Sequence, residues 1–327
     1  MRVGVYIMKA FVALEAGKTG IIDLPVPEPE EDEVLVKNEA CVICNTTDWM
    51  VIRNHFGAPA FPVVIGHESI GRVVQTGSKV RNLKIGDRVT RANAIPPGFN
   101  GSYYSAWGGF AEYGIAKDKP GVQGLNELPL EKAGLLISFS ETASCLMQLE
   151  SIQDKVVLVT GTGIAGLSLV YFAKKFGSRR VICTGIRPGR LEIAKKLGAD
   201  VVFLANSIEI RQAGYDGLDV DYVFEATGKY DVFEAGIPLL KENGTLAIYG
   251  VPDRPYALNE KKSPTNYRNL LFSPKEEMAY SYVCGLLKED DKLSGLLMTH
   301  QWKFENIQDA FQQVKLGQVI KGMVVMT

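Results

Sequence analysis

The 327 residues exceed the length at which one hydrophobic core usually keeps growing, so two domains are expected, and an apolar fraction of 46% can fold both without disulfides. Lys plus Arg number 36 against 37 Asp plus Glu, with no long run of one sign, which argues against nucleic acid or an anionic membrane as partner. Cys41, Cys44, Cys145, Cys183 and Cys284 are odd in number and mostly scattered, which argues against a disulfide framework and for a reducing compartment, read as the cytoplasm.

The first residues interleave Lys9 and Glu15 with apolar side chains and lack the uninterrupted apolar core of a secretory signal. Up to about residue 150 the chain is rich in Val, Gly and Pro. Short apolar runs such as Glu33 to Lys37 and Gly71 to Gln75, separated by turn residues, predict an antiparallel β domain. From Glu131 to Leu149 the pattern turns helical. Beyond Asp154 the strand-like segments KVVLVT, RRVICTG, ADVVFL, VDYVFEATG and GTLAIYG alternate with helix-like LSLVYFAKKFG and RLEIAKKLG, which predicts βαβ units and a parallel sheet. The uncharged run Val156 to Ala173 approaches the length of a membrane span, but its glycines and threonines fit a strand, a turn and a helix better. After about Leu286 come mixed polar helix and a last strand, KGMVVM, expected to rejoin the first domain.

Gly161, Gly163 and Gly166 form GxGxxG directly after a strand and before a helix. The first glycine permits the tight turn, the second lets backbone approach a pyrophosphate, and the third lets helix and strand pack closely, while the helix start offers free N–H donors. Thr162, Ile164 and Ala165 fill the same turn and are read with it as dinucleotide-binding; the competing reading is glycine packing without a ligand. An NAD site usually carries an acidic residue about 20 residues on, at the end of the second strand. Here that position is Gly185, and Arg187 and Arg190 follow. Guanidinium forks suit phosphate oxygens, so NADP is favoured over NAD, against the alternative of solvated capping arginines.

Cys44 and His67 offer a thiolate and an imidazole, both good Zn²⁺ ligands. Taken alone the pair means little, since buried free cysteines are common. Cys41 and Cys44 also make CxxC, but no second pair exists to complete a structural zinc site, and no βαβ context supports a redox role.

The chain resembles the zinc-type medium-chain dehydrogenase/reductase family of alcohol, sorbitol, threonine and glucose dehydrogenases. The likeness is carried by the N-terminal MKAFVALEAGKTGIIDLPVPEPEEDEVLVK, by GHESIGRVVQTGSKVRNLKIGDRV, GGFAEY, the glycine turn, EATG at 225 to 228 and the closing KGMVV. It implies an α/β two-domain fold: a GroES-like catalytic domain over 1–150, a Rossmann doubly wound parallel sheet over 151–286, and a C-terminal segment over 287–327 returning to the first. By the same resemblance Cys44, His67 and Glu68 lie at one catalytic zinc, Thr46 takes the proton of an alcohol, and Ala226, Thr227, Gly250 and Val251 join the cofactor site. GIRP at 185 to 188 is similar to the small-x-Arg-Pro pattern of NADP-preferring members. The implied activity is hydride transfer between an alcohol, polyol or sugar hydroxyl and NADP or NAD, in a homo-oligomer, dimer or tetramer, joined at the Rossmann sheet edge.

Three departures stand out. Ile137 and Ser138 occupy the place of a third ligand, leaving Glu68, Glu141 or water to complete the shell. Thr47 stands where relatives carry an aspartate behind the histidine, a role open to Asp48. NAIPPGFNGSYYSAWGG replaces the lobe of four cysteines, so no structural zinc is expected. His55 and His300 are read as structural. The rivals are a zinc-free, quinone-reductase-like NADPH oxidoreductase of the same fold and a non-catalytic dinucleotide-binding protein.

Overall fold

The computed structural model describes residues 6–55, 61–92, 104–105, 108–205, 219–252 and 266–326. Two compact units result, Met1–Leu136 with Tyr280–Thr327, and Ile137–Ala279.

The first unit opens with a hairpin, β1 (Ile7–Glu15) and β2 (Lys18–Pro25), followed by β3 (Glu33–Val42), the short helix α1 (Thr47–Ile52), β4 (Val63–Val64), β5 (Glu68–Thr76), β6 (Arg88–Thr90), β7 (Tyr104–Ser105), β8 (Tyr113–Lys117) and α2 (Leu130–Ala133). β3 is the hub, antiparallel to β5 on one side and to β8 along its first half. That central place explains why its side chains are buried on both faces. One sheet runs β2-β1-β4-β7, and its hairpin shows an exposed face on β2. Most of the segment expected to lack a structural zinc lobe, 93–109, lies outside the described residues.

The second unit contains α3 (Leu136–Met147), β9 (Val156–Thr160), α4 (Ile164–Lys175), β10 (Arg180–Gly185), α5 (Pro188–Lys196), β11 (Val201–Leu204), β12 (Val220–Glu225), α6 (Tyr230–Gly236), β13 (Leu240–Ile248) and β14 (Arg268–Leu271). Its strands pair in parallel in the order β11-β10-β9-β12-β13-β14. The expected doubly wound sheet is therefore present. β9 is wholly buried, as the continuous run VVLVT requires of a central parallel strand. Strand order reverses between β9 and β12, and ligands of such sheets bind outside the carboxyl ends at that reversal. The unit begins at Ile137, earlier than the texture change near 150, because α3 packs Phe139 on Tyr171 and Phe172 at 5.7 and 5.4 Å.

The chain then returns to the first unit through α7 (Tyr280–Glu289), α8 (Lys292–Leu297), β15 (Met298–Lys303), α9 (Ile307–Lys315) and β16 (Lys321–Val325). The ammonium of Lys132, in α2, docks on Asp291 Oδ1 at 2.5 Å and on the Lys288 carbonyl at 3.3 Å, which ties this return to the N-terminal part. β16 joins β3 antiparallel, giving the order β15-β16-β3-β5-β6. α9 buries Ile307, Ala310, Phe311 and Val314, and Phe311 meets Phe110 at 5.6 Å in the core. Among the described residues no helix is long and apolar enough to cross a membrane.

Candidate functional site

The register of the first unit assembles one group of donors. Val42, the last residue of β3, pairs with Glu68, the first of β5, so Cys44 just beyond one strand meets His67 just before the other. Gly66, which precedes His67, has φ +100°, and a Cβ there would stand 2.5 Å from Phe110 Cδ2, so only glycine lets the chain enter β5 this way. Ligand atoms of Cys44, His67 and Glu68 lie within 4.8 Å of one another, the last two buried and Cys44 half-buried.

Asp48 on α1 organises this group from behind. Its Oδ1 lies 3.3 Å from His67 Nδ1, and its Oδ2 accepts the Cys44 backbone N–H at 2.9 Å. With Nδ1 so engaged, Nε2 is left on the side of Glu68, whose Oε1 is 3.8 Å away. The same oxygen accepts a hydrogen bond from Lys321 Nζ at 2.6 Å, on the first residue of β16. Burial alone would depress the His67 pKa, but the Cys44 sulfur and the Asp48 carboxylate outweigh it and hold the imidazole well above its ordinary value. The cluster thus favours positive charge at the imidazole beside Lys321, and a bound cation can take the place of the His67 proton. A divalent ion fits: thiolate sulfur, imidazole nitrogen and carboxylate oxygen are the donors zinc takes, and a carboxylate behind the histidine fixes the ring and raises its basicity.

Thr46 is exposed at the entry to α1, two residues after Cys44, and its carbonyl accepts the Met50 N–H at 3.0 Å. Ile137 is buried at 2% exposure and offers no donor. Glu141 accepts from the Tyr249 hydroxyl at 3.2 Å within the second unit. His300 stacks on Trp302 at 5.4 Å, and neither it nor His55 joins the donor group. Cys41 is fully buried; desolvation, reinforced by Asp48 and Glu68, pushes its thiol well up, which leaves the CxxC without a reactive partner for Cys44.

In the second unit the expected cofactor residues gather on loops after β9, β10, β12 and β13. Gly161 has φ +108°, and Gly166 is so close that a Cβ would lie 2.0 Å from the Gly161 carbonyl oxygen, so both glycines serve the fold. Gly163 differs, since a Cβ there meets nothing within 4 Å. It precedes Ile164 and Ala165 at the start of α4, an end with no side-chain cap on its first backbone N–H donors. Gly185 is buried under Thr162. Arg187 is exposed at the entry to α5, and half-buried Arg190 in its first turn donates from Nη1 to the Thr162 carbonyl at 3.4 Å. Burial, then the charge of Arg187, lowers the Arg190 pKa to about 10.

Glu225, fully buried at the end of β12, holds the other two loops together. Its carboxylate accepts the N–H groups of Thr227 at 2.6 Å and Gly228 at 3.1 Å, and its carbonyl accepts those of Tyr249 at 2.8 Å and Gly250 at 3.0 Å. Ala226 and Thr227 thereby lie beside Gly161, and Gly250 and Val251 lie against Gly228, with Val251 46% exposed.

Residues 30–123 match the alcohol dehydrogenase GroES-like domain, and 165–275 match the zinc-binding dehydrogenase domain. D-arabinitol dehydrogenase 1 of Uromyces fabae is 30% identical over 335 residues, covering 92% of each chain. The chain belongs to the zinc-type medium-chain dehydrogenase/reductase family. L-threonine 3-dehydrogenase of Shewanella sp. strain ANA-3 is 26% identical, over 98% of this chain and 99% of its own. Among solved structures, a zinc-binding dehydrogenase of Sinorhizobium meliloti 1021 bound to NADP superposes with a TM-score of 0.80 at 23% identity, over 98% and 99% of the two chains.

Two partners in this medium-chain dehydrogenase/reductase escape sequence reading. Lys321 opens the apolar run KGMVV, and a lysine opening an apolar strand signals a buried cation that needs a carboxylate. Glu225 likewise ends the apolar run VDYVFE, and that contrast is the one local sign of a buried acceptor.

Proposed function

We propose that this medium-chain dehydrogenase/reductase oxidises an alcohol or polyol hydroxyl to a carbonyl while reducing NADP⁺ to NADPH, with one zinc ion held by Cys44, His67 and Glu68. The convergence of those three donors in front of Asp48 carries the reading. Zinc there would supply Lewis-acid polarisation of the substrate oxygen. Asp48 fixes the His67 ring, and Lys321 offsets part of the Glu68 charge. Exposed Thr46 passes the hydroxyl proton outward. Backbone at Gly163 and the start of α4 receives the pyrophosphate, and Arg187 with Arg190 receives the 2′-phosphate. The likeness to a D-arabinitol dehydrogenase supports a polyol substrate. Among the described residues β14 is the edge strand of this sheet, and its Leu271, 71% exposed, supports pairing with a second copy.

Ile137, which offers no donor where the family resemblance implies a ligand, is the observation that favours a zinc-free reductase instead. Metal analysis of protein purified without chelator, followed by an NADP⁺ reduction screen over polyols, sugars and simple alcohols, separates the two. About one zinc per chain with turnover of a hydroxyl substrate is expected. Protein free of zinc that reduces quinones with NADPH would replace this reading.

A further inference from the structure

At the end of β10, Gly185 stands against Thr162. A Cβ built on Gly185 would lie 2.6 Å from Thr162 Cγ2, 2.7 Å from its Oγ1 and 3.2 Å from its Cβ. Rotating the threonine about its own Cα–Cβ bond leaves the last contact in place. Backbone retreat is resisted as well, because the neighbouring Gly161 N–H is tied to the Thr184 carbonyl of β10 at 2.8 Å and Gly161 already has φ +108°. An acidic side chain, which in an NAD site takes the ribose 2′-hydroxyl from this position, therefore has no room here unless Thr162 turns and the glycine turn gives by a few tenths of an ångström.

The threonine also acts through its backbone. Its carbonyl accepts Arg190 Nη1 at 3.4 Å, which draws a guanidinium into the first turn of α5, the helix end where a cation runs against the macrodipole. Arg187 stands beside it at the helix entry, and burial followed by the Arg187 charge weakens the charged form of Arg190. A pair of guanidiniums gathered at an unfavourable end is stabilised by a doubly charged anion.

We propose that Thr162 is a specificity-determining residue: its side chain excludes an acidic residue from position 185 while its carbonyl seats Arg190, so the site accepts a dinucleotide bearing a 2′-phosphate. This rests on the NADP reading above and adds the residue that enforces it.

The test measures direct binding of NADP⁺ and NAD⁺, with thermal unfolding, in the natural protein, Gly185→Asp, and Gly185→Asp combined with Thr162→Gly. Gly185→Asp alone should weaken NADP⁺ by about tenfold or more without a matching gain for NAD⁺, and should melt lower. The double variant should regain melting temperature and bind NAD⁺ about tenfold more tightly than the single one. Gly185→Asp alone gaining NAD⁺ affinity as fully as the double variant would overturn the role of Thr162. If the single variant does not fold, the double decides: a folded protein preferring NAD⁺ supports the proposal, and one that is unfolded or gains no NAD⁺ affinity rejects it. Natural protein that binds neither dinucleotide would instead remove the cofactor reading itself.

Discussion

Lys321 Nζ lies 2.6 Å from Glu68 Oε1, and both side chains are only 2% exposed. The pair joins strands from opposite ends of the chain, and the same carboxylate oxygen stands 3.8 Å from His67 Nε2. Glu68 therefore faces a fixed cation on one side and the candidate metal position on the other.

Replacing the lysine should expose that double duty. Lys321→Met keeps the apolar stem but leaves a buried carboxylate without its cation, a change that costs about 3–5 kcal/mol. Denaturant unfolding of metal-free protein should show this deficit. Saturating zinc should narrow it, because an ion bound only by the folded state supplies the missing positive charge and shifts the equilibrium by mass action. Equal deficits with and without zinc would mean that Glu68 does not address the metal.

The glycine turn gives a prediction in which two neighbouring alanine substitutions part ways. Gly166→Ala places a Cβ 2.0 Å from the Gly161 carbonyl oxygen and should destabilise the fold by about 1–3 kcal/mol or more. Gly163 has φ −75° and ψ 178°, which alanine adopts freely, and open space around its Cα. Gly163→Ala should leave stability unchanged or raise it by about 0.4–1 kcal/mol. Its NADP⁺ dissociation constant should nonetheless rise by about tenfold. Thermal melts and NADP⁺ titration of both variants check this, and unchanged NADP⁺ affinity in Gly163→Ala would remove the case for close backbone approach.

What the sequence made legible follows the range of the forces involved. The strand, glycine turn and helix from Val156 to Lys175 are set by local periodicity and by glycine geometry, and they occur where expected. Cys44 and His67 could be named from their residue types. That Asp48 stands behind His67, one residue later than the resemblance implies, depends on how α1 turns back over Cys44, which no spacing rule fixes. Lys321 meets Glu68 only because β16 pairs with β3 and β3 with β5, two long-range registers. The early boundary at Ile137 has the same origin, since α3 looks alike in sequence whichever unit it packs on, and Phe139 decides the matter by meeting Tyr171 and Phe172.

Asp221, near the start of β12, yields a pH-dependent prediction well away from both sites. Its Oδ2 accepts the Val156 N–H at 2.8 Å, and its Oδ1 pairs with Lys241 and lies 3.9 Å from Lys155. Burial alone would raise this carboxyl, but Lys241, the Val156 amide and Lys155 together hold it below the usual 3.8. A folded-state pKa depressed below the unfolded one contributes stability that is present above the unfolded value and lost as pH falls through the folded value. Asp221→Asn should therefore lower stability near neutral pH by about 1.5–3 kcal/mol, the range for hydrogen bonds to charged groups. The gap to the natural protein should hold from neutral pH down to about 4 and shrink below it, as the natural carboxylate takes up its proton. Urea unfolding of both proteins across that range measures it. A gap that stays constant into strong acid would mean that the charge on Asp221 is not what anchors β12 to the strand and lysines beside it.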